Sequence, residues 1–183
     1  MEDNPISVSF LTTNFDYADF KSAAAKADMQ KGERLVFRIT GVVLIVTALL
    51  LQVYSFKSVR NSILYAAMAA AGILVGFLYE LIAQYTLRRR ALRYFDANKE
   101  KFIAQTTEFH KDEITFQTER YTAAIPYDLF YRAYEDGRVF ILYTGINEMR
   151  FIPKRAMGDG ECTQIRNILQ TKLQEKYQQE GAR

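Results

Sequence analysis

Two stretches of this chain carry no charge: Ile39 to Phe56, eighteen residues, and Asn61 to Tyr79, nineteen residues, with only Lys57-Ser58-Val59-Arg60 between them. A bilayer core of roughly 30 Å is crossed by about 20 mainly apolar residues in a helix, so each run is long enough to span. A link of about four residues, at no more than roughly 3.5 Å each, cannot return across a membrane. The pattern predicts a tight transmembrane hairpin, with helices over 35–56 and 61–85. A buried helical pair in a soluble protein is the competing reading. Such helices carry a polar face, whereas the only breaks here are Thr40, Thr47, Gln52, Ser55 and Ser62.

Basic residues orient the hairpin. Lys21, Lys26, Lys31, Arg34 and Arg38 precede it, Arg88, Arg89, Arg90, Arg93, Lys99 and Lys101 follow it, and the loop holds Lys57 and Arg60. Eleven against two places both termini on the cytoplasmic face. The mean hydropathy of −0.15 averages a very apolar quarter with a polar remainder. Residues 1–104 hold 13 Lys+Arg against 9 Asp+Glu, and residues 105–183 hold 11 against 12. The basic excess therefore belongs to the membrane flanks, which argues against nucleic-acid binding by the C-terminal part. Cys162 stands alone, so no intrachain disulfide forms. No cleavable leader is legible, because the apolar region begins near residue 35, behind a folded-looking segment.

Outside the hairpin the periods are those of a small α+β domain. Ile6, Val8 and Phe10 alternate with polar neighbours over Pro5 to Leu11, predicting a short strand. Thr12-Thr13-Asn14 offers helix caps, with Asp16 and Asp19 in the first turn and a stripe of Phe15, Ala18, Phe20 and Ala24. This helix is expected to run towards the membrane, and the second span to continue past the surface to about Ile103. Strands are expected over Glu108 to Lys111, Glu113 to Glu119, Tyr121 to Ile125, Phe130 to Glu135, Arg138 to Tyr143 and Glu148 to Ile152. Asp136-Gly137 gives a strong hairpin signal between two of them. A closing helix follows from Asp159 to about Tyr177, with Ile165, Ile168, Leu169 and Leu173 on one face. The expected fold is an α+β membrane protein: a two-helix transmembrane hairpin plus an antiparallel, pleckstrin-homology-like split β-barrel capped by a C-terminal helix. A flat sheet with one helix is the alternative. The segments divide as 1–34 (strand and amphipathic helix), 35–87 (hairpin), 88–104 (helix extension) and 105–183 (C-terminal domain).

The chain resembles the YcxB-like family of bacterial membrane proteins. The resemblance rests on Phe151-Ile152-Pro153-Lys154-Arg155-Ala156-Met157 with Glu161 at the following helix start. It extends to Phe10-Leu11-Thr12 with Asp16, Tyr17 and Phe20, to Ile125-Pro126-Tyr127 through Tyr134, and to Phe140-Ile141-Leu142-Tyr143. Met157 stands where the family usually has a bulky aromatic. The resemblance implies a multi-pass protein of the bacterial cytoplasmic (inner) membrane, and it brings no catalytic residues.

Several residues invite a role. Arg38 and Glu80 bound the apolar runs at similar depth and are expected either to pair between helices or to reach the headgroups separately. Gly72 and Gly76, extended by Ala69 and Ala83, form a small-residue stripe. It can pack on the first helix near Gly41, the preferred reading, or make a homo-oligomer. Arg88, Arg89, Arg90 and Arg93 suit anionic lipid headgroups. Ile152, Pro153, Lys154, Arg155 and Ala156 form the family's turn motif. His110 is the sole histidine, so no histidine-based metal site is expected, and a Cys162–His110 nucleophile lacks an acid partner. Gly158-Asp159-Gly160 lacks the Lys-Ser/Thr of a phosphate loop. The functional expectation is a non-enzymatic, cofactor-free module tethered to the lipid bilayer, binding a protein or lipid partner through edge strands and an aromatic-rich surface of Tyr121, Tyr127, Tyr131, Tyr134 and Tyr143, many of which are expected to belong to the core. The alternative is an oligomeric small-solute transporter or channel subunit.

Overall fold

The computed structural model describes residues 5–28, 31–54, 59–146 and 148–180, with the side chains of 31–34, 59, 60, 77 and 80 outside the description. The chain divides into two compact units, one built from residues 1–25 and 88–183 and the other from 26–87. The second is therefore an insertion within the first.

In the inserted unit, α2 (Lys31–Tyr54) and α3 (Val59–Ile73) run antiparallel, with Gln52 Nε2 donating to Ser62 Oγ at 3.1 Å. They approach closely at glycine. A Cβ added to Gly41 would stand 2.5 Å from the Gly76 Cα and 2.6 Å from the Gly72 carbonyl oxygen. Only a residue without a side chain permits that spacing. Within α2, Leu35–Tyr54 is a helix of 20 residues, apolar and long enough to cross a membrane. The second run differs from expectation. It passes through a π-helical turn at Leu74–Leu78 into α4 (Tyr79–Ala97), and the axes of 61–76 and 81–97 differ by 54°. It is a bent pair of helices rather than one straight span, as π-turns tend to produce. Lys57 and the side chains of Lys31, Arg34 and Arg60, which carry part of the orientation argument, lie outside the described residues.

The larger unit holds two four-stranded sheets. The first has the order β1 (Ile6–Phe10), β2 (Gln105–Phe109), β3 (Glu113–Thr118), β4 (Thr122–Pro126), all antiparallel. The second has the order β7 (Met149–Pro153), β6 (Val139–Tyr143), β5 (Arg132–Glu135), β8 (Tyr177–Gln179), with β8 parallel to β5. No ladder joins the two sheets among the described residues, so the expected barrel does not close. β1 enters the first sheet from across the inserted unit, with Val8 opposite Thr107. β2 starts earlier than expected, because His110 to Asp112 are consumed by the turn in which the His110 amide bonds the Glu113 carbonyl at 3.0 Å.

One core fills the space between the sheets and α5 (Asp159–Leu173). Val8, Phe10, Ile114, Phe116, Phe130, Phe140, Leu142, Ile152, Ile165 and Leu169 meet there. Ile114 and Phe116 alternate inward along β3, and of the expected α5 stripe Ile165, Leu169 and Leu173 are buried and Ile168 packs partly buried against them. A second apolar layer lies on the other face of β6. Ile141 is fully buried, and its register partner Phe151 stacks on Phe20 of α1 (Asn14–Asp28) with ring centroids 4.6 Å apart. Tyr17 of α1 in turn stacks on Tyr94 of α4 at 5.6 Å. Phe15, expected on the buried stripe, is 60% exposed, and Asp16 takes the inward place instead.

Candidate functional site

The turn at Ile152 to Ala156 forms a double ionic clasp. Pro153 ends β7, and the short helical turn Lys154–Ala156 aims two cations in different directions. Arg155 turns to the N-terminal segment. Its Nε donates to Asp16 Oδ1 at 2.6 Å, its Nη2 to Asp16 Oδ2 at 2.5 Å and to the Leu11 carbonyl at 3.0 Å. Asp16 is held in place because it also closes the start of α1. It accepts from the Thr13 amide at 2.7 Å, and the Asp16 amide donates back to Thr13 Oγ1 at 3.2 Å. Burial acts to raise the Asp16 carboxyl, but Arg155 and Thr13 outweigh it and hold the group below the ordinary 3.8.

Lys154 turns the other way, to Glu135 at the end of β5, a carboxylate with 1% of its surface exposed. Lys154 Nζ donates to Glu135 Oε1 at 2.6 Å and to the Asp136 carbonyl at 2.5 Å. Arg166 of α5 forks onto the same carboxylate, with Nη2 2.6 Å from Oε1 and Nε 3.0 Å from Oε2. The Tyr177 hydroxyl of β8 completes the set. Burial pushes the Glu135 carboxyl up, yet the bonds from Arg166, Lys154 and Tyr177 prevail and keep it below the ordinary 4.5. Burial, followed by the bond to Glu135, pushes the Tyr177 phenol up. Glu135 thus joins β5, the β7 turn, α5 and β8 at one point. The adjoining Asp136 shapes the Asp-Gly turn, its Oδ1 accepting from the Arg138 and Val139 amides at 2.8 and 2.9 Å.

A cleft of about 560 Å³ opens on another side of α5, between the start of β1 and the end of β2. Ile6, Phe109 and Ile168 give it apolar walls, and His110, Gln164 and Asn167 give it polar ones. Behind it the buried Tyr127 donates its hydroxyl to the His110 carbonyl at 3.1 Å; burial pushes that phenol up to about 12. Small-molecule and peptide sites share this mixture of apolar wall and convergent polar groups.

The residues singled out from sequence fall as follows. Gly72 and Gly76 face Gly41 within the chain, and Ala69 is half-buried on the same helix. Arg38 is exposed on α2, while the Glu80 side chain lies outside the described residues. Arg88 bonds Asp19 at 3.0 Å, a carboxylate it shares with Arg138 at 2.7 Å; Arg89, Arg90 and Arg93 are exposed. Ile152 is buried in the core, and Ala156 packs against it. His110 lies 3.4 Å from Glu108, and the Cys162 sulfur 4.0 Å from Arg166. Of the five tyrosines weighed between contact surface and core, Tyr127, Tyr134 and Tyr143 are buried, and Tyr121 and Tyr131 are exposed. Tyr134 and Tyr143 lie in β5 and β6 on the face of Ile141, opposite to that of Ala133, Phe140 and Leu142, and Tyr127 opens a short helical turn after β4 and packs into the core.

Glu135 escaped the sequence reading although a signal was there. In β5 it shares the parity of Ala133, which is 1% exposed. A carboxylate at an inward position demands cations, and Lys154 after a strand-ending proline is a natural supplier. Comparison with curated proteins and with solved structures returned no match. A family model described as YcxB-like protein matches residues 109–169, from the end of β2 into α5. That span holds Glu135, Asp136, Lys154, Arg155 and Arg166, but neither β1, α1 nor β8. The larger unit of this chain therefore contains a YcxB-like domain.

Proposed function

We propose that this protein is a non-enzymatic, membrane-anchored binding module whose α/β unit works at the cytoplasmic face and takes a protein partner in the α5 cleft. The observation that carries the reading is the exposed apolar length of α2. Val36, Val43, Leu49, Leu50 and Val53 are each about half or more exposed, a surface that water disfavours and lipid accepts. The inserted unit then crosses as a hairpin, counting the bent second run as one span. Both termini stay in the cytoplasm, as Arg88, Arg89, Arg90 and Arg93 favour. We read the two sheets with α5 as an open variant of a pleckstrin-homology-like arrangement, and the open cleft beside α5 supports recognition rather than transport. Full-length protein is expected in the membrane fraction, resistant to alkaline carbonate and released by detergent. In-cell crosslinking is expected to capture a protein that Asn167→Arg, filling the cleft, no longer captures. Extraction by carbonate would refute the anchor. Capture of the same set by both versions would refute the cleft, and capture of only itself would favour the oligomeric transporter or channel subunit.

A further inference from the structure

The second sheet carries a small addition that its own hairpins do not require. β7, β6 and β5 are consecutive antiparallel strands, and β5 would be an edge but for β8, a strand of three residues laid parallel to it after α5. Unpaired edges invite strand addition. Every anchor of β8 lies within a few residues of it. Tyr177 bonds Glu135 through its hydroxyl, the Glu180 amide donates to the Glu135 carbonyl at 2.7 Å, and Lys176 Nζ donates to the Asp128 and Phe130 carbonyls at 3.0 Å each. The connection from α5 is less comfortable. Gln174 has φ 48° and ψ −116°, the only positive φ at a non-glycine among the described residues. That conformation suits glycine and burdens a side chain. The anchors favour docking of the segment, whereas the hinge opposes docking of this chain's own segment. Strained hinges beside exchangeable elements favour exchange between copies.

We infer that the outer edge of β5, with the Glu135 carboxylate at its end, is a strand-docking slot that a second copy of this chain fills with its own Tyr177–Glu180 segment in place of the tail docked in cis. A second copy brings the tyrosine hydroxyl, the lysine ammonium and the backbone donor in the same spacing, with its hinge free to relax. The slot outlasts the exchange, because Glu135 keeps Lys154 and Arg166, and Ile165, Leu169 and Leu173 keep α5 on the core.

The test is capture in detergent by tagged full-length protein of two untagged acceptors, one full-length and one ending at Leu173. The tail-less acceptor, with its slot open, is expected to be captured several-fold more. Tyr177→Phe in the tagged donor is expected to reduce that excess, as is Gln174→Gly, which relaxes the donor's own closure. Equal capture of the two acceptors, with the tail-less one still melting cooperatively, overturns the inference. Should the tail-less acceptor fail to fold, hydrogen exchange on the full-length protein decides. Across a dilution series the Glu180 amide is expected to lose protection several-fold as the protein is diluted, as a segment held by a second copy must, and protection independent of concentration would show closure in cis and overturn the inference.

Discussion

Glu135 is buried at the end of β5, and it stays ionised there because Lys154, Arg166 and Tyr177 all donate to it. Removing one donor leaves the charge less compensated. Lys154→Met is expected to cost about 1.5–3 kcal/mol of stability in denaturant titration, the range for a hydrogen bond to a charged group. Arg155→Ala should cost less, about 1 kcal/mol, because its guanidinium is half exposed and screened. The same carboxylates set an acid limit. Asp16 and Glu135 both bind a proton less readily when folded than when unfolded, so their contribution is complete above the ordinary carboxylate values. Thermal melts should be flat from neutral pH down to about 5, then fall through pH 4.5 and 3.8 and below as the folded groups are forced to protonate. Glu135→Gln should shift less over that interval while starting from a lower melting temperature.

Gly41 of α2 touches Gly72 of α3 and Gly76 of the π-helical turn through backbone, so side-chain volume there has nowhere to go. Gly41→Leu should overpack the pair by about 1–3 kcal/mol or splay it, seen as faster hydrogen exchange across α2 and α3 with β6 unchanged. The α5 helix shows how an element boundary is set. Glu161 reaches back to the Gly158 amide at 2.9 Å and starts it, and Gln174 with its positive φ stops it after Leu173, four residues short of the expected Tyr177. The sequence stripe is apolar to Leu173 and then ends, but nothing in Gln174-Glu175-Lys176 announces a reversal. β8 is likewise invisible locally, since Tyr-Gln-Gln has no alternation to read and becomes a strand because β5 and Glu135 wait for it.

The helical hairpin is inserted into the α/β unit rather than appended to it, and stability should follow that layout. Val8, Phe10 and Phe20 precede the insertion, and all are less than 8% exposed. At about 1.5–3 kcal/mol for each buried side chain, they are worth roughly as much as the net stability of a small domain. A fragment of residues 88–183 is therefore expected not to give a cooperative melt or dispersed amide resonances. Residues 1–25 joined to 88–183 by a flexible linker of about ten residues should give both, since such a linker spans roughly 17 Å and Asp19 already lies 3.0 Å from Arg88. Cooperative folding of the bare fragment would show that β1 and α1 are accessories.

What could be read directly from the chain was local in origin. The apolar runs, the alternation of Ile6, Val8 and Phe10, the turn at Asp136-Gly137, the helix start at Thr12 to Asn14 and the inward stripe of α5 each depend on residues a few positions apart, where side-chain period and backbone preference act without help. The partner of β1, the two cations on Glu135, the bend beyond Ile73 and the docking of β8 carried no such mark. Arg155 meets Asp16 across 139 residues and Glu135 meets Arg166 across 31. Which charge finds which was decided by the packing of the sheets around one core, because a buried carboxylate is tolerated only where the fold brings cations to it.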